Sequence, residues 1–315
     1  MSKLNFLRMT FGNMLSIALF PVIAASMCSC QKELTYASEN NERHVDISFK
    51  WNNNNRKSNM AVWIFPTVGA GLFYSLPTDK VSNVEAQNGQ LHAFCYNNDS
   101  DINRFEVNAW KDAIATTGET DIVMKSVFGD NVKSIPRGGD PDEPICFQPT
   151  ELYCDTCTIT GDDDSLITFT PQPVLKEIEI RIVNVKGTNG IAFVSAALSG
   201  MASSMSLSTL KPCGCQCTIP IGMSVEKESV ISGNGLSFGK NVNYYGKNIL
   251  TIYVMLSDGQ RIYYNYDISD RISQTANKTS IEVTIEGMTV PEVQAGSGFN
   301  PNLNEWNIYE EEIAM

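Results

Sequence analysis

From residue 44 onward the chain is dominated by short runs in which apolar and polar residues alternate. HVDISFKW sets Val45, Ile47, Phe49 and Trp51 against His44, Asp46, Ser48 and Lys50. Successive side chains of a strand point to opposite faces, so this run predicts a half-buried strand. MAVWIFP (60–66), GQLHAFCYN (89–97) and SLITFTPQP (165–173) read the same way. In the second half, EIEIRIVNV (177–185) alternates Ile178, Ile180 and Ile182 with charges, and TSIEVTIEGM (279–288) does so with Ile281, Val283 and Ile285. NILTIYVMLSDGQRIYYNYDIS (248–269) is two strand runs around Asp258-Gly259, a pair favoured where a tight hairpin needs φ > 0 at both central positions.

Helical periodicity is scarce. DINRFEVNAWKDAIATTG (101–118) spaces Phe105, Ala109, Trp110 and Ile114 near the helical repeat and reads as one short helix or an irregular crossover. Between 129 and 164 the composition turns to Gly, Pro and acid, which predicts an inserted loop followed by the approach to a last strand. The boundary between two domains then falls near Pro171 or Pro173. Ten or more short strands in two groups imply an all-β protein of two antiparallel β-sandwiches in tandem, spanning 44–172 and 173–315.

The front of the chain is different. Lys3 and Arg8 precede an uncharged, mostly apolar run from Met9 to Met27, the order of an export signal. Thr10, Gly12, Asn13, Ser16 and Pro21 interrupt that run, which suits a signal better than the roughly 20 apolar residues of a spanning helix. Its end, Met27-Cys28-Ser29-Cys30, resembles the lipobox of bacterial lipoproteins. That resemblance implies cleavage after residue 29, diacylglycerol and palmitate on Cys30, and a polar tether over 30–43. Several acyl chains give stable anchoring where one gives only marginal binding, so the expected location is an outer membrane surface.

Composition narrows the function classes. The chain has 315 residues, a net charge of −12 and a hydrophobic content of 43%. Removing the signal takes away two cations and no acid, leaving the remainder more negative by two. Such a surface repels nucleic acid, which is excluded as a partner.

The order of these segments resembles the fimbrillin-related lipoproteins of Bacteroides and relatives, specifically the DUF5119 group, which is similar to the FimB/Mfa2 fimbrial anchoring subunits. The resemblance is carried by VDISFKW after the lipidated cysteine, AVWIFP, LSGMASSMSLST (198–209), LSDGQRIYYNYDISDRI and the ending GSGFNPNLNEWNIYEEEIAM. It implies transthyretin-like sandwiches, a structural rather than enzymatic role in adhesive fimbriae as anchor, minor or tip subunit, and other fimbrial subunits as partners through strand complementation. It also implies a processing question. Shaft subunits of the wider group lose their first strand by cleavage after an arginine, and Arg43 stands just before HVDISFKW. The tail with Trp306, Ile308 and Ile313 reads as a strand that either closes its own sandwich or is offered to a partner, and self-closure is favoured since exposed sheet edges are generally suppressed. A surface glycan- or matrix-binding lipoprotein acting alone is the alternative.

Candidate chemistry is sparse, and no cofactor is implied. Cys154 and Cys157 have metal-type CxxC spacing, and CGCQC puts Cys213, Cys215 and Cys217 on one face of a strand. Those five offer a disulfide between the two clusters, a tetrahedral Zn²⁺ or iron–sulfur site, or free thiols. His44 and His92 lie on alternating patterns without a serine–acid context and read as strand-surface residues. GDDDS (161–165) lacks the alternating acids and closing glutamate of an EF-hand and reads as a solvated turn. Asp164-Ser165-Leu166 resembles the O-glycosylation motif of Bacteroides exported proteins, with Ser165 the acceptor. Tyr253, Tyr263, Tyr264 and Tyr266 make either a carbohydrate-facing surface or cross-strand packing.

Overall fold

The computed structural model describes residues 42–52, 56–77, 80–120, 138–161, 165–227, 229–241, 243–275, 277–293 and 306–308. The signal, Cys30 and its tether as far as residue 41, Asp164, and residues 309–315 lie outside them.

In the first half the strands are β1 (Glu42–Phe49), β2 (Met60–Pro66), β3 (Leu72–Leu76), β4 (Lys80–Gln87), β5 (Leu91–Asn97), β6 (Arg104–Glu106), β7 (Ile114–Thr116), β8 (Tyr153–Ile159), β9 (Leu166–Phe169) and β10 (Gln172–Pro173). One sheet runs β4-β1-β9 and a second runs β10-β8-β5-β2-β3. The alternation of HVDISFKW does what the sequence predicts, sending Val45, Ile47 and Phe49 inward. They meet Met60, Val62 and Ile64 of β2 and Leu91, Ala93 and Cys95 of β5, so the two sheets form a sandwich around one core. Each fully buried Ile or Val contributes roughly 1.5–3 kcal/mol of transfer free energy.

The second half comprises β11 (Lys176–Val183), β12 (Ile191–Ser206), β13 (Lys211–Lys227), β14 (Val230–Ser237), β15 (Ile249–Leu256), β16 (Arg261–Asp267), the short helix α1 (Ser269–Gln274), β17 (Ser280–Glu286) and β18 (Trp306–Ile308). Here a single sheet runs β17-β11-β14-β13-β12-β15-β16-β18, with β7 added to β12 and β6 to β7. Side chains from β11 and β17 share one core with those of β15 and β16, so this sheet curls upon itself. The long strands allow the turn because bulges interrupt β12 against β13 at Leu198/Met201 and Ala202/Ser204.

A third core joins Ala61, Phe65, Phe94 and Tyr96 of the five-stranded sheet to Ala202 and Met205 of β12 and to Phe238. It explains the first departure from the sequence reading. β2 and β5 are buried on both faces rather than one, because the face turned away from the first core is covered as well.

Three further differences stand out. The stretch read as an inserted loop near 129–164 contains β8, paired with both β5 and β10 and burying Tyr153, Cys154 and Ile159. Residues 101–118 form the irregular crossover, not a helix: β6, one 3₁₀ turn at Trp110–Asp112, and β7 docked on β12. The Asp258-Gly259 hairpin is a three-residue connection in which only Gly259 has positive φ, 88°. Gly259 donates to the Leu256 carbonyl and Leu256 to that of Gln260, the pattern of a type I turn closed by a left-handed glycine.

Candidate functional site

β1 is the element on which the functional question turns. It lies between β4, antiparallel over Glu42–Ser48, and β9, parallel over Asp46–Phe49. β1 thus has a hydrogen-bonded neighbour from this chain on both of its edges. Arg43, the candidate processing residue, is 9% exposed and pairs with Ala86. Its guanidinium donates to the carbonyl of Gly161, before β9, and to that of Gly89, 3.4 Å away in the β4–β5 turn. A protease working on extended backbone would first have to lift this strand out of its ladder.

At the other end of the chain, β18 lies parallel to β16 in the register Arg261↔Trp306 and Tyr263↔Ile308. Strand 306–308 therefore adds to the chain's own sheet, as the sequence predicts.

The cysteines separate according to strand geometry. Cys154 and Cys157 are three residues apart on one strand, so the pleat sends them to opposite faces: Cys154 to the third core, Cys157 against the first, beside Cys95. Burial pushes the Cys157 thiol up to about 12, Asp155 adding to it, and holds Cys95 and Cys154 well above the ordinary range. Inert structural thiols behave this way.

On β13 the three sulfurs do not share one environment. Gly214, at φ 79°, and the adjoining bulge break the alternation. Cys213 packs by Ser204, exposed Cys215 bonds the Ser203 hydroxyl at 3.3 Å, and Cys217 is buried. Cys217 shares its core with Cys146, a residue absent from the sequence-level candidates, whose amide donates to the Thr218 carbonyl at 3.0 Å. No group of three or more His, Cys, Asp or Glu among the described residues is arranged to hold a metal.

His44 is exposed on β1. His92 bonds Thr158 through Nδ1 at 2.9 Å and stacks on Trp110, with 5.0 Å between ring centres. Ser165 is exposed at the start of β9, its carbonyl accepting from the Asp46 amide. The hairpin tyrosines go into packing: Tyr253, Tyr264 and Tyr266 are buried, and the Tyr264 hydroxyl donates to the Thr289 carbonyl at 2.7 Å. They do not form an exposed aromatic platform.

One concavity has a ligand-like composition that the sequence did not suggest. A cleft of about 700 Å³ between α1, the start of β13 and Phe238 is floored by Met205, Phe238 and Ile281. Lys176, Lys211 and Lys240 line it, together with Asn241 and Tyr244, and among the described residues no acid does. Burial lowers the Lys176 pKa, and its ammonium donates to the Lys278 carbonyl. Among the described residues no helix is long and apolar enough to cross a membrane.

Comparison with known proteins places this architecture. One solved structure, a “putative adhesin” from Bacteroides ovatus, superposes with a TM-score of 0.62 at 14% identity, over 80% of this chain and 93% of that one. Another from the same species gives 0.51 at 10% identity, over 79% and 90%. The fimbrial anchor protein Mfa2 from Porphyromonas gingivalis gives 0.49 at 10%, over 78% and 90%. No curated protein matches the sequence. The profile of the domain of unknown function DUF5119 matches residues 28–222, more than half of the sequence, and the chain belongs to that family.

Proposed function

We propose that this chain is a lipid-anchored cell-surface protein that bases, joins or terminates a fimbria-like adhesive polymer, bound to the outer membrane through acylated Cys30 and to other subunits through strand complementation. It transforms no substrate. The observation that carries this reading is the setting of the first strand, with β1 between β4 and β9 and Arg43 tied to Gly89 and Gly161, which opposes its removal. A subunit that keeps that strand stays continuous with its lipidated amino terminus, which suits an anchor better than a shaft. The fold it shares with a Bacteroides ovatus “putative adhesin” is consistent with this role. Sheet-edge contact with a partner has a place available at β3, where Phe73 is 47% exposed.

Electrophoresis of surface material before and after boiling tests the polymer: heat-sensitive ladders spaced by the subunit mass support it, and a lone monomer band contradicts it. Cys30→Ala should move the protein from the membrane to the soluble fraction.

The lysine-lined cleft favours a second reading, a solitary binder of acidic glycans. Charge complementarity supports it, because the cleft is basic within an acidic chain. Titration with a polyuronate, wild type against Lys211→Glu, separates the two readings.

A further inference from the structure

We infer that the lysine-lined cleft takes a sugar acid that also carries a small acyl group, the chemistry of an N-acetylated nonulosonate. The inference rests on the second reading above, a chain that binds acidic glycans, and adds which kind of acid fits. Three separate elements bring the cations together: Lys176 opens β11, Lys211 opens β13, and Lys240 follows Phe238 beyond β14. Gly239 allows that convergence. Its φ of 102° turns the chain between Phe238 and Lys240, and a β-carbon there would lie 3.1 Å from Pro212 Cγ and 3.4 Å from Lys176 Cγ. Neither Lys211 nor Lys240 pairs with a carboxylate among the described residues. Like charges gathered in a concavity focus a positive potential, and an anion bound among them relieves their repulsion. A carboxylate suits them, because ammonium–carboxylate hydrogen bonds are about twice as strong as neutral ones.

Charge alone does not choose among acids; the apolar lining does. Met205, Phe238 and Ile281 are 1%, 1% and 2% exposed, so packed side chains seal the floor. What a ligand can touch is the wall, where Val174, Leu210 and Pro212 are each half-buried. That wall is shallow. It covers a group the size of an acetyl methyl and leaves an alkyl chain in water. Asn241 has little left to offer, since its Nδ2 donates to the Gly214 carbonyl at 2.6 Å and its Oδ1 accepts from the Asn243 amide at 2.9 Å. Asn277 is exposed, and its side chain makes no hydrogen bond among the described residues, which leaves its amide for the acyl amide of a ligand. A polyuronate would satisfy the lysines and leave the wall bare, and a fatty acid would overrun the wall. An acylated sugar acid uses both.

The test titrates the full chain calorimetrically with five probes: sialyllactose, its analogue with a hydroxyl in place of the acetamido group, lactose, polygalacturonate and octanoate. Sialyllactose should bind and lactose should not. The hydroxyl analogue should bind at least about fourfold more weakly, the worth of one buried methyl. Lys211→Glu should weaken sialyllactose by about tenfold or more. Leu210→Asn should bind the two acids equally, at an unchanged thermal midpoint, because Leu210 sits at φ 54°, a conformation that asparagine tolerates. Equal affinity of the wild type for sialyllactose and its hydroxyl analogue, or tighter binding of octanoate, overturns the inference. If polygalacturonate then binds through Lys211, the acidic-glycan reading survives without the acyl group. If none of the anions binds, both fall. An acetamido preference that Leu210→Asn leaves intact contradicts the role given to the wall.

Discussion

The two halves of the molecule bury their strands in different ways. In the first, two separate sheets enclose one core, and the outer face of the five-stranded sheet is covered again by β12 and its neighbours. In the second, one continuous sheet curls around a single core, and the outer face of β11 keeps Glu177, Glu179 and Arg181 in water. A strand covered once must alternate; a strand covered twice is freed from that rule and tied to two sets of neighbours. Substitutions on the outer faces should therefore be costly on β2 and β5 and nearly silent on β11.

Phe94→Ala strikes the contrast hardest. Phe94 points to the outer face of β5, where a once-covered strand would carry a polar residue, yet it is 0% exposed against Phe65 and Trp110. Truncation should cost about 4 kcal/mol in denaturant unfolding, as for other buried aromatics. A loss below 1 kcal/mol would mean that the third core contributes little.

Next in size is Gly187→Ala. Gly187 has φ 79°, and a β-carbon there would lie 2.1 Å from the Val290 carbonyl oxygen, an atom of the backbone. The left-handed conformation alone costs about 1–2 kcal/mol for an L-residue, so the total should reach about 2–3 kcal/mol. Gly89→Ala, with positive φ but open space, should show only the conformational part.

A smaller effect concerns Asp267, which accepts from the hydroxyl and amide of Ser269 and pairs with Lys247 at 2.9 Å. Those partners, the Ser269 hydroxyl first, hold its pKa below the usual carboxylate value. A depressed folded pKa stabilises above the unfolded pKa, and the contribution disappears as pH falls through the folded one, here below about 4. Because 38% of the side chain is exposed, Asp267→Asn should lose less than about 1 kcal/mol at pH 7 and nothing at pH 2. Equal losses at both values would refute the assignment.

The smallest effect completes the comparison. Glu179 lies on the outer face of β11, exposed, in register with Glu282 of β17. Glu179→Ala should change stability by less than about 0.5 kcal/mol, in the stabilising direction because like charges face each other there.

The same contrast explains what the sequence could reveal. β11 and β17 were legible because once-covered strands write their burial as alternation, and β1 for the same reason. β2 and β5 were legible as strands, but their second buried face was not. β8 was hidden because YCDTCTI carries a weak pattern and follows a segment rich in Gly, Pro and acid. Its place comes from ladders with β5 and β10, set by pairing at long range. The parallel β1–β9 and β11–β17 contacts likewise have no local signature. Of the candidate chemistry, CxxC spacing suggested two sulfurs acting together, whereas three residues on a strand put them back to back. Cys146, alone in its segment, had no motif to mark it; only the backbone bonds to β13 set its place in the core.

The claim on which the account depends most is that the mature protein keeps β1 in place and carries its lipid ahead of it. Intact mass and amino-terminal peptide mapping of the protein extracted from outer membranes test it directly. The account predicts a chain that begins at an acylated Cys30 and includes Arg43 and His44 in one uncut peptide bond. A chain that begins at His44, or an unmodified cysteine at residue 30, would contradict it.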